Sequence, residues 1–309
     1  MKKIKTVFFG SSHFSAAVLE KLLSDGADLF DVVAVVTRPD APTGRKKVLS
    51  ENPLKAYAGE KGLPCYPHNA DLVKKLQETG IELCLVAAYG RILKTTLLDS
   101  VSLGFWNIHG SYLPELRGAV PIQLAIARGN KETGVSVIQM DSGMDTGMLL
   151  AKSNIPIEDD DTFASLAVKM AEEGTKLFIQ ELPKYIGKEM TLSKQEGEPS
   201  YCYIRDLESL FALSIEANTA YEIESAVRAL LPYDHIPFVI KGTRVLLYAV
   251  KALSNDIDLL VGETAIVSGE SGKSLVVACR EGLLQLDALR PPGKGTMRGT
   301  DFNNGYIKK

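Results

Sequence analysis

Two hydrophobic periods alternate along the first half of the chain. Continuous apolar runs of five or six residues, typical of strands buried on both faces, are followed by segments with apolar side chains every three or four positions, as in an amphipathic helix. This alternation predicts an α/β fold built on a Rossmann-like, mostly parallel sheet with helices on both faces. The predicted strands are residues 4–9, 32–36, 83–88 and 104–108, and the predicted helices are residues 14–23, 53–61 and 72–78.

The pattern changes in the second half. A strand is predicted at residues 134–139 and a long amphipathic helix at 162–182, after which the periodicity is lost. Beyond Arg205 several short β-rich runs are separated by glycine-containing turns, which favours a small OB-like β-barrel. We therefore predict a first domain at residues 1–188, a linker at 189–205 and an OB-like domain at 206–309. The predicted strands of the second domain are residues 238–240, 245–250, 263–267, 274–278 and 283–289.

Composition narrows the class of protein. The chain has 309 residues, 45% of them hydrophobic, and no apolar run approaches the roughly 18–20 residues of a membrane span. The first residues lead directly into a predicted strand and lack the features of a signal peptide, so we expect a cytoplasmic protein with no membrane contact. The four cysteines are isolated, which indicates reduced thiols without a disulfide framework or zinc site. A net charge of −3 gives no global attraction to nucleic acid, so any such contact must be local.

Candidate chemistry follows two of the predicted strands. Asn107 and His109 lie two positions apart, so in an extended segment their side chains share one face. Asp145 lies in a turn with two glycines and a second acid, Asp141. An amide, an imidazole and a carboxylate can together polarise a carbonyl, stabilise an oxyanion and move a proton, without a metal ion or a covalent nucleophile. Spacing alone leaves a structural role open for His109, and Asx turns open for both acids.

Two further loops carry candidate functions. The turn after the first predicted strand, at Gly10, has only one glycine of a dinucleotide fingerprint, which disfavours hydride chemistry and favours a tight strand-to-helix turn. The loop after the second strand holds four cations, Arg38, Arg45, Lys46 and Lys47, against one acid. It is either a solvated flexible loop or a loop that contacts phosphates.

The chain resembles the 10-formyltetrahydrofolate-dependent formyltransferases from end to end, and within them the methionyl-tRNA formyltransferases. The segments that carry the resemblance are residues 88–93, 107–123, 139–147 and 289–294. The set of Asn107, His109 and Asp145 is shared by the wider group and implies formyl transfer. The acceptor is indicated by the sequence of residues 140–147, the basic loop and the C-terminal domain.

The resemblance implies transfer of the formyl group from 10-formyltetrahydrofolate to the α-amino group of methionyl-initiator tRNA. Asn107 and His109 would donate hydrogen bonds to the oxyanion, and Asp145 would orient His109 and help to relay the proton. The folate cosubstrate would be bound by Tyr89, Gly90, Arg91, Ile92, Ser111, Tyr112, Leu113, Pro114 and Asp141. The tRNA would be bound by Arg38, Arg45, Lys46, Lys47 and the C-terminal domain.

Two other functions stay open at this stage. A formyltransferase acting on an amino sugar nucleotide or another small amine would use the same three side chains, but it would need neither the basic loop nor the C-terminal domain. A non-catalytic tRNA-binding protein would not need Asn107, His109 and Asp145. We expect a monomeric enzyme that takes no metal.

Overall fold

The chain forms two compact units in a computed structural model, which describes residues 2–43, 48–254, 257–269 and 272–308. The first unit comprises residues 1–121, 132–156 and 166–202, and the second comprises residues 122–131, 157–165 and 203–309. The chain therefore contributes two internal segments to the second unit, whereas the sequence predicted a division between continuous domains. In the described parts of the chain, we find no helix with both the length and the apolar character needed to cross a bilayer.

A seven-stranded sheet forms the centre of the first unit. Its order is β10-β9-β7-β6-β1-β2-β5. The neighbours from β7 to β5 pair in parallel, whereas β9 is antiparallel to both β7 and β10. The prediction of a mostly parallel α/β sheet is confirmed. The strands of this unit are Ile4–Gly10 (β1), Phe30–Val36 (β2), Ala41–Thr43 (β3), Val48–Ser50 (β4), Cys65–Tyr66 (β5), Leu83–Ala87 (β6), Phe105–His109 (β7), Arg117–Gly118 (β8), Glu132–Gln139 (β9), Met148–Pro156 (β10) and Tyr201–Cys202 (β11).

The helices begin at local signals in the sequence. Ser12 caps the first helix through a capping box with Ser15, and the Ser15 hydroxyl donates to the carbonyl oxygen of Ala87 at 2.6 Å. This is the tight strand-to-helix turn that the sequence predicted after Gly10. The helices are His13–Asp25 (α1), Pro53–Glu60 (α2), Leu72–Glu78 (α3), Thr95–Leu98 (α4), Pro121–Ala127 (α5), Phe163–Ile186 (α6), Ala220–Leu230 (α7) and Gly299–Phe302 (α8), with a 3₁₀ helix at Ile204–Phe211 and a π-helical turn at Asn303–Ile307.

Much of the segment predicted as a linker, residues 189–205, is part of the first unit. Ser193 and Leu149 exchange two backbone hydrogen bonds of 2.8 and 3.0 Å, and β11 pairs in parallel with β8. Local hydrophobic periodicity cannot reveal this segment, because it is fixed by backbone hydrogen bonds to residues far away in the sequence. Compact structure of the first unit therefore continues to Cys202.

The second unit contains the five antiparallel strands that the sequence predicted. They pair in the order β12-β13-β16-β15-β14, and the long strand β13 has register shifts next to Ala249. Such bulges bend a strand and increase its twist. Helix α7 begins with a capping box between Thr219 and Glu222. The strands are Ile236–Ile240 (β12), Thr243–Leu253 (β13), Thr264–Gly269 (β14), Gly272–Ala278 (β15) and Leu283–Arg290 (β16).

Candidate active site

Strand β7 carries two buried polar side chains at its carboxyl end. Asn107 and His109 are only 7% and 6% exposed, on a strand whose other residues form apolar core. Their spacing of two places both side chains on the same face of the sheet, as predicted. Because a buried polar group is costly without a hydrogen-bond partner, both side chains need partners from outside the strand.

The partner common to both is Asp145, in the connection between β9 and β10. Its Oδ1 accepts a hydrogen bond from Nδ2 of Asn107 at 3.3 Å, and its Oδ2 lies 3.7 Å from Nδ1 of His109. Oδ2 also accepts a hydrogen bond of 2.8 Å from the backbone N–H of Gly118. The structure thus brings together the three side chains that the sequence singled out from two separate segments.

The second nitrogen of the His109 ring is 3.0 Å from the carbonyl oxygen of Leu116. A carbonyl oxygen only accepts hydrogen bonds, so Nε2 carries a hydrogen. The neutral ring therefore presents a bare Nδ1 towards Asp145, and the protonated ring presents an N–H there. Nδ1 is consequently the ring position that can gain and lose a proton at this site.

Leu116, which supplies this carbonyl oxygen, has a backbone conformation that is rare for a residue with a side chain. Its φ is +51°, in the left-handed region. Its N–H donates to Oγ of Ser200 at 2.8 Å, and its oxygen also accepts from the Cys202 thiol at 3.3 Å. The segment predicted as a linker thus supports the partner of His109.

The sequence missed four groups of this site: the Leu116 carbonyl, the Gly118 N–H, Ser200 and Gln195. The first two are backbone groups, which side-chain patterns do not report. Gln195 donates to the carbonyl oxygens of Asp145 and Gly147. The sequence around Gln195 and Ser200 shows only a polar segment without hydrophobic periodicity. That pattern is equally typical of a linker, so it could not have identified these two residues.

The segment Ser111 to Pro114, predicted to bind folate, is tied to the sheet. The Ser136 hydroxyl donates to the Ser111 carbonyl oxygen at 2.8 Å and accepts from the Leu113 N–H at 3.0 Å. Ser111 and Leu113 are fully buried, so their side chains support the loop. Pro114 is also buried and follows a cis peptide bond, and Tyr112 lies under the ammonium group of Lys152, which is 3.8 Å from the ring centroid.

The other predicted folate residues lie after β6 and β9. The side chains of Arg91 and Ile92 are exposed, and that of Ile92 is 89% accessible. Gly90 has a φ of +71°, and a Cβ atom there would lie 3.3 Å from the Arg38 guanidinium. Arg38, predicted to contact tRNA, is therefore adjacent to the predicted folate segment.

Asp141 forms the Asx turn that was its alternative interpretation. Its Oδ1 accepts from the Gly143 N–H at 2.9 Å and from the Thr146 hydroxyl at 2.7 Å. This turn shapes the loop that carries Asp145, whose φ is +54°. A direct contact between Asp141 and folate remains a prediction.

The hydroxyl of Tyr89 is hydrogen bonded to Nδ1 of His68, and the two rings are stacked with their planes 7° apart. Burial raises the pKa of Tyr89, while Arg91 and Arg38 act in the opposite direction. Burial lowers the pKa of His68, and the charge of Arg91 lowers it further. The pair is therefore neutral at pH 7.

The remaining predictions concern the basic loop and metals. Arg45, Lys46 and Lys47 lie outside the described residues. Among the residues that the structure does describe, no group of three or more His, Cys, Asp or Glu side chains is arranged to hold a metal ion.

Comparison with known proteins places this site in a family. The formyl transferase family profile matches residues 2–182, and the profile of the formyl transferase C-terminal domain matches residues 214–307. The chain is 34% identical to a methionyl-tRNA formyltransferase of Levilactobacillus brevis over 97% of this chain and 95% of the relative. It is 35% identical to a methionyl-tRNA formyltransferase of Myxococcus xanthus over 99% of this chain and 96% of the relative.

Solved structures share the fold at lower identity. HypX from Aquifex aeolicus, in complex with tetrahydrofolic acid, superposes with a TM-score of 0.69 at 14% identity over 99% of this chain. The chain spans 48% of HypX. An N-formyltransferase from Helicobacter canadensis, in complex with folinic acid and dTDP-3-aminofucose, gives a TM-score of 0.62 at 18% identity over 93% of this chain and 99% of its own.

Proposed function

The chain belongs to the formyl transferase family, and on that premise we propose that it transfers the formyl group of 10-formyltetrahydrofolate to the α-amino group of methionine on initiator tRNA. The observation that carries the proposal is the convergence of Asn107 and His109 with Asp145. The acceptor is supported by the relatives named methionyl-tRNA formyltransferase, which match over nearly the whole of both chains.

The acceptor amine is activated by its own chemistry. Esterification of methionine to tRNA removes the carboxylate charge and lowers the basicity of the amine, so a neutral fraction exists near pH 7. The neutral amine attacks the formyl carbon, and the formyl oxygen becomes negatively charged. The oxyanion then collapses, the bond between the formyl carbon and N10 of the folate breaks, and N10 takes up a proton. Residues at the site must therefore stabilise an oxyanion, accept the proton that the amine loses and return a proton to N10 as it leaves.

Asn107 is the donor to the oxyanion. His109 was expected to be a second donor, but its Nε2 is committed to the Leu116 carbonyl oxygen. Its amide nitrogen has two hydrogens, and one is directed at Oδ1 of Asp145. The second is available to the substrate. The removal of one oxyanion donor typically lowers the rate by about 10²–10³-fold.

His109 and Asp145 handle the proton. With Nε2 committed to the Leu116 carbonyl, Nδ1 of His109 exchanges the proton, and the carboxylate 3.7 Å away compensates the charge of the protonated ring. Acid–base assistance of this kind contributes about 10²–10⁴-fold. Asp145 is itself held by the Gly118 N–H, so its carboxylate keeps its orientation while the proton moves.

The site also offers groups that suit the folate. The left-handed Gly90 lets the backbone after β6 approach a planar ring closely, and the exposed Arg91 suits the acidic end of the cosubstrate. Residues 206–309 would contact the tRNA. We place the enzyme in the cytoplasm, where aminoacylated tRNA is made, and infer that it acts as a monomer.

A matched set of acceptors tests the proposal. The purified chain is given 10-formyltetrahydrofolate with charged initiator tRNA, with charged elongator methionine tRNA, or with an amino sugar nucleotide. We expect rapid formylation of the initiator and slow formylation of the elongator. Transfer to the sugar amine in place of both tRNAs would instead support a sugar N-formyltransferase. The Helicobacter canadensis N-formyltransferase shares the fold of this chain.

A further inference from the structure

The side-chain amide of Gln195 makes four hydrogen bonds at the edge of the active site. Its Nε2 donates to the carbonyl oxygens of Asp145 at 2.8 Å and Gly147 at 2.9 Å. Its Oε1 accepts from Nε of Arg117 at 3.1 Å and from Nη2 of Arg117 at 2.7 Å. An amide has two hydrogens and two acceptor lone pairs, so this side chain is fully satisfied.

These partners fix the orientation of the amide. Rotation by 180° would direct the NH₂ group at the Arg117 guanidinium and the oxygen at two carbonyl oxygens, so all four hydrogen bonds would become repulsive contacts. Glutamate and methionine have a similar size, but neither can reproduce the pattern. The position is therefore specific for an amide of this length.

The hydrogen bonds of Gln195 link Asp145 directly to Arg117, which is next to a second partner of Asp145. Arg117 precedes Gly118, whose N–H donates to Oδ2 of Asp145 at 2.8 Å. Gln195 thus fixes the main chain of Asp145 and, through Arg117, the strand that holds its carboxylate. Gln195 therefore contributes to holding both the carbonyl group and the carboxylate of Asp145, although it lies in a distant segment.

Asp145 needs this support because of its backbone. Its φ of +54° lies in the left-handed region, which a residue with a Cβ atom rarely adopts. In this conformation the carboxylate faces Asn107 and His109. Residues held in such conformations persist when the surrounding structure overdetermines them, and the two hydrogen bonds from Gln195 supply that constraint.

We propose that Gln195 is a positioning residue for formyl transfer, which acts on the reaction only through Asp145. The inference rests on the proposed function, since it assigns Asp145 its part in proton movement. Gln195 does not contact the reacting atoms. It keeps the Asp145 carboxylate within reach of His109, and a shift of about 1 Å at such a group can lower a rate by about 10²-fold.

The Gln195→Met variant provides the primary test. It removes all four hydrogen bonds at nearly constant volume. We expect kcat to fall by about 10- to 100-fold, with KM for tRNA and for 10-formyltetrahydrofolate within a few-fold of the unmodified chain. Glu196→Met is the matched control, because Glu196 is the exposed neighbour, and it should retain full kcat. An unchanged kcat in Gln195→Met would overturn the inference.

A double-mutant cycle separates positioning from general loss of structure. If Gln195 acts through Asp145, then Gln195→Met changes the residual rate of Asp145→Asn by less than about 3-fold, because coupled residues are not additive. If the losses multiply, Gln195 has an independent role and the inference is wrong. A lower Tm together with additive rate losses would likewise overturn it.

Two further variants test the inference if Gln195→Met fails to fold. Gln195→Glu still accepts from Arg117 but directs a carboxylate oxygen at the carbonyls of Asp145 and Gly147, so kcat should fall at least as far as in Gln195→Met. Arg117→Met leaves Gln195 in place with its oxygen unpaired and should lower kcat in the same direction by a smaller factor. Full activity of both variants would overturn the inference. The unmodified chain serves as the reference throughout, and its failure to formylate tRNA would refute the proposed function instead.

Discussion

Oδ2 of Asp145 lies 3.7 Å from Nδ1 of His109, on the opposite side of the ring from the hydrogen bond to Leu116. The two ring nitrogens therefore have different tasks. Nε2 is committed to the carbonyl oxygen of Leu116, which also accepts from the Cys202 thiol, while the N–H of Leu116 donates to Ser200. Nδ1 remains free to exchange a proton beside the Asp145 carboxylate, so the ring should matter for proton transfer.

Replacement of His109 should abolish turnover while binding is retained. We expect His109→Ala to lower kcat by about 10²–10⁴-fold, the usual contribution of acid–base assistance. The dissociation constant for charged initiator tRNA should stay within a few-fold, because the ring is only 6% exposed and offers little surface to RNA. Single-turnover formylation and filter binding measure the two quantities.

The matched control for this change is His13→Ala, which removes an exposed histidine on α1 and should keep both values. If His109→Ala lost tRNA affinity by orders of magnitude but turned over the bound tRNA normally, His109 would be a binding residue. The assignment of proton transfer would then be wrong.

The sequence sufficed for those parts of the site that depend on local pattern. Asn107 and His109 share a face because a strand has a period of two, and the strand itself follows from its apolar neighbours. The glycines around Asp145 predicted a turn, and the turn is there. No local pattern brings residue 145 to residue 107, and only the family resemblance implies that these two segments meet.

The parts that the sequence did not predict depend on distant backbone groups. Leu116 supplies a carbonyl oxygen, Gly118 supplies an N–H, and neither role needs a particular side-chain chemistry. Gln195 and Ser200 act from a segment without hydrophobic periodicity, a pattern that predicts a linker. Hydrogen bonds to partners far away in the sequence hold this segment in place, and they become visible only in three dimensions.

Gly118 should tolerate no side chain. Its φ is +124°, and a Cβ atom there would lie 2.1 Å from the carbonyl oxygen of Cys202. We expect Gly118→Ala to separate β8 from β11, to destabilise the fold by about 1–3 kcal/mol or more, and to lower kcat because the N–H of Gly118 is withdrawn from Asp145. Thermal unfolding and formylation assays test both effects.

Gly59→Ala is the matched control for this substitution. Gly59 lies in α2, a Cβ atom added there would have no other atom within 4 Å, and alanine favours a helix over glycine by about 0.5–1 kcal/mol. Its Tm should rise slightly and its kcat should not change. A Gly118→Ala chain with native Tm and kcat would show that β8 and β11 do not pack as described.

Cysteine reactivity should distinguish one thiol from three. Cys65 is exposed, whereas Cys84, Cys202 and Cys279 are buried. Burial raises the pKa of Cys279 to about 12 and that of Cys84 well above its usual value, so neither forms the reactive thiolate at pH 8. Burial raises the pKa of Cys65 as well, but its thiol is accessible to a reagent. A disulfide reagent should therefore modify one thiol of the native chain and all four after unfolding, and Cys65→Ser should remove the native reaction. A second fast thiol in native Cys65→Ser would contradict the burial described.

The pair of His68 and Tyr89 should make stability depend on pH. Burial, aided by Arg91, lowers the pKa of His68 from its ordinary 6.5, so in the window just below pH 6.5 the unfolded chain binds more protons than the folded chain. The free energy of unfolding should therefore fall as pH decreases through this window. In His68→Gln, which keeps a hydrogen-bonding partner for Tyr89 but does not titrate, the fall should be smaller. Equal pH dependence of Tm in the two chains between pH 5 and 7.5 would refute this.

The basic loop should account for much of the tRNA affinity. The C-terminal part from Asp206 onward has 11 Lys and Arg against 13 Asp and Glu, so it offers no overall attraction to a phosphate backbone, whereas residues 37–47 hold four cations against one acid. Each cation that neutralises a phosphate releases counterions, which makes binding depend on salt with a slope of about 0.7–0.9 per contact. We expect Arg45→Ala to raise KM for tRNA, to leave KM for 10-formyltetrahydrofolate unchanged, and to reduce the slope of log K against log salt by about one contact.

Lys74→Ala, which removes an exposed cation of α3, is the matched control for the lost charge. It should leave KM for tRNA and the salt dependence of binding unaltered. If Arg45→Ala behaves like this control, the loop is a solvated connection and the tRNA is bound elsewhere.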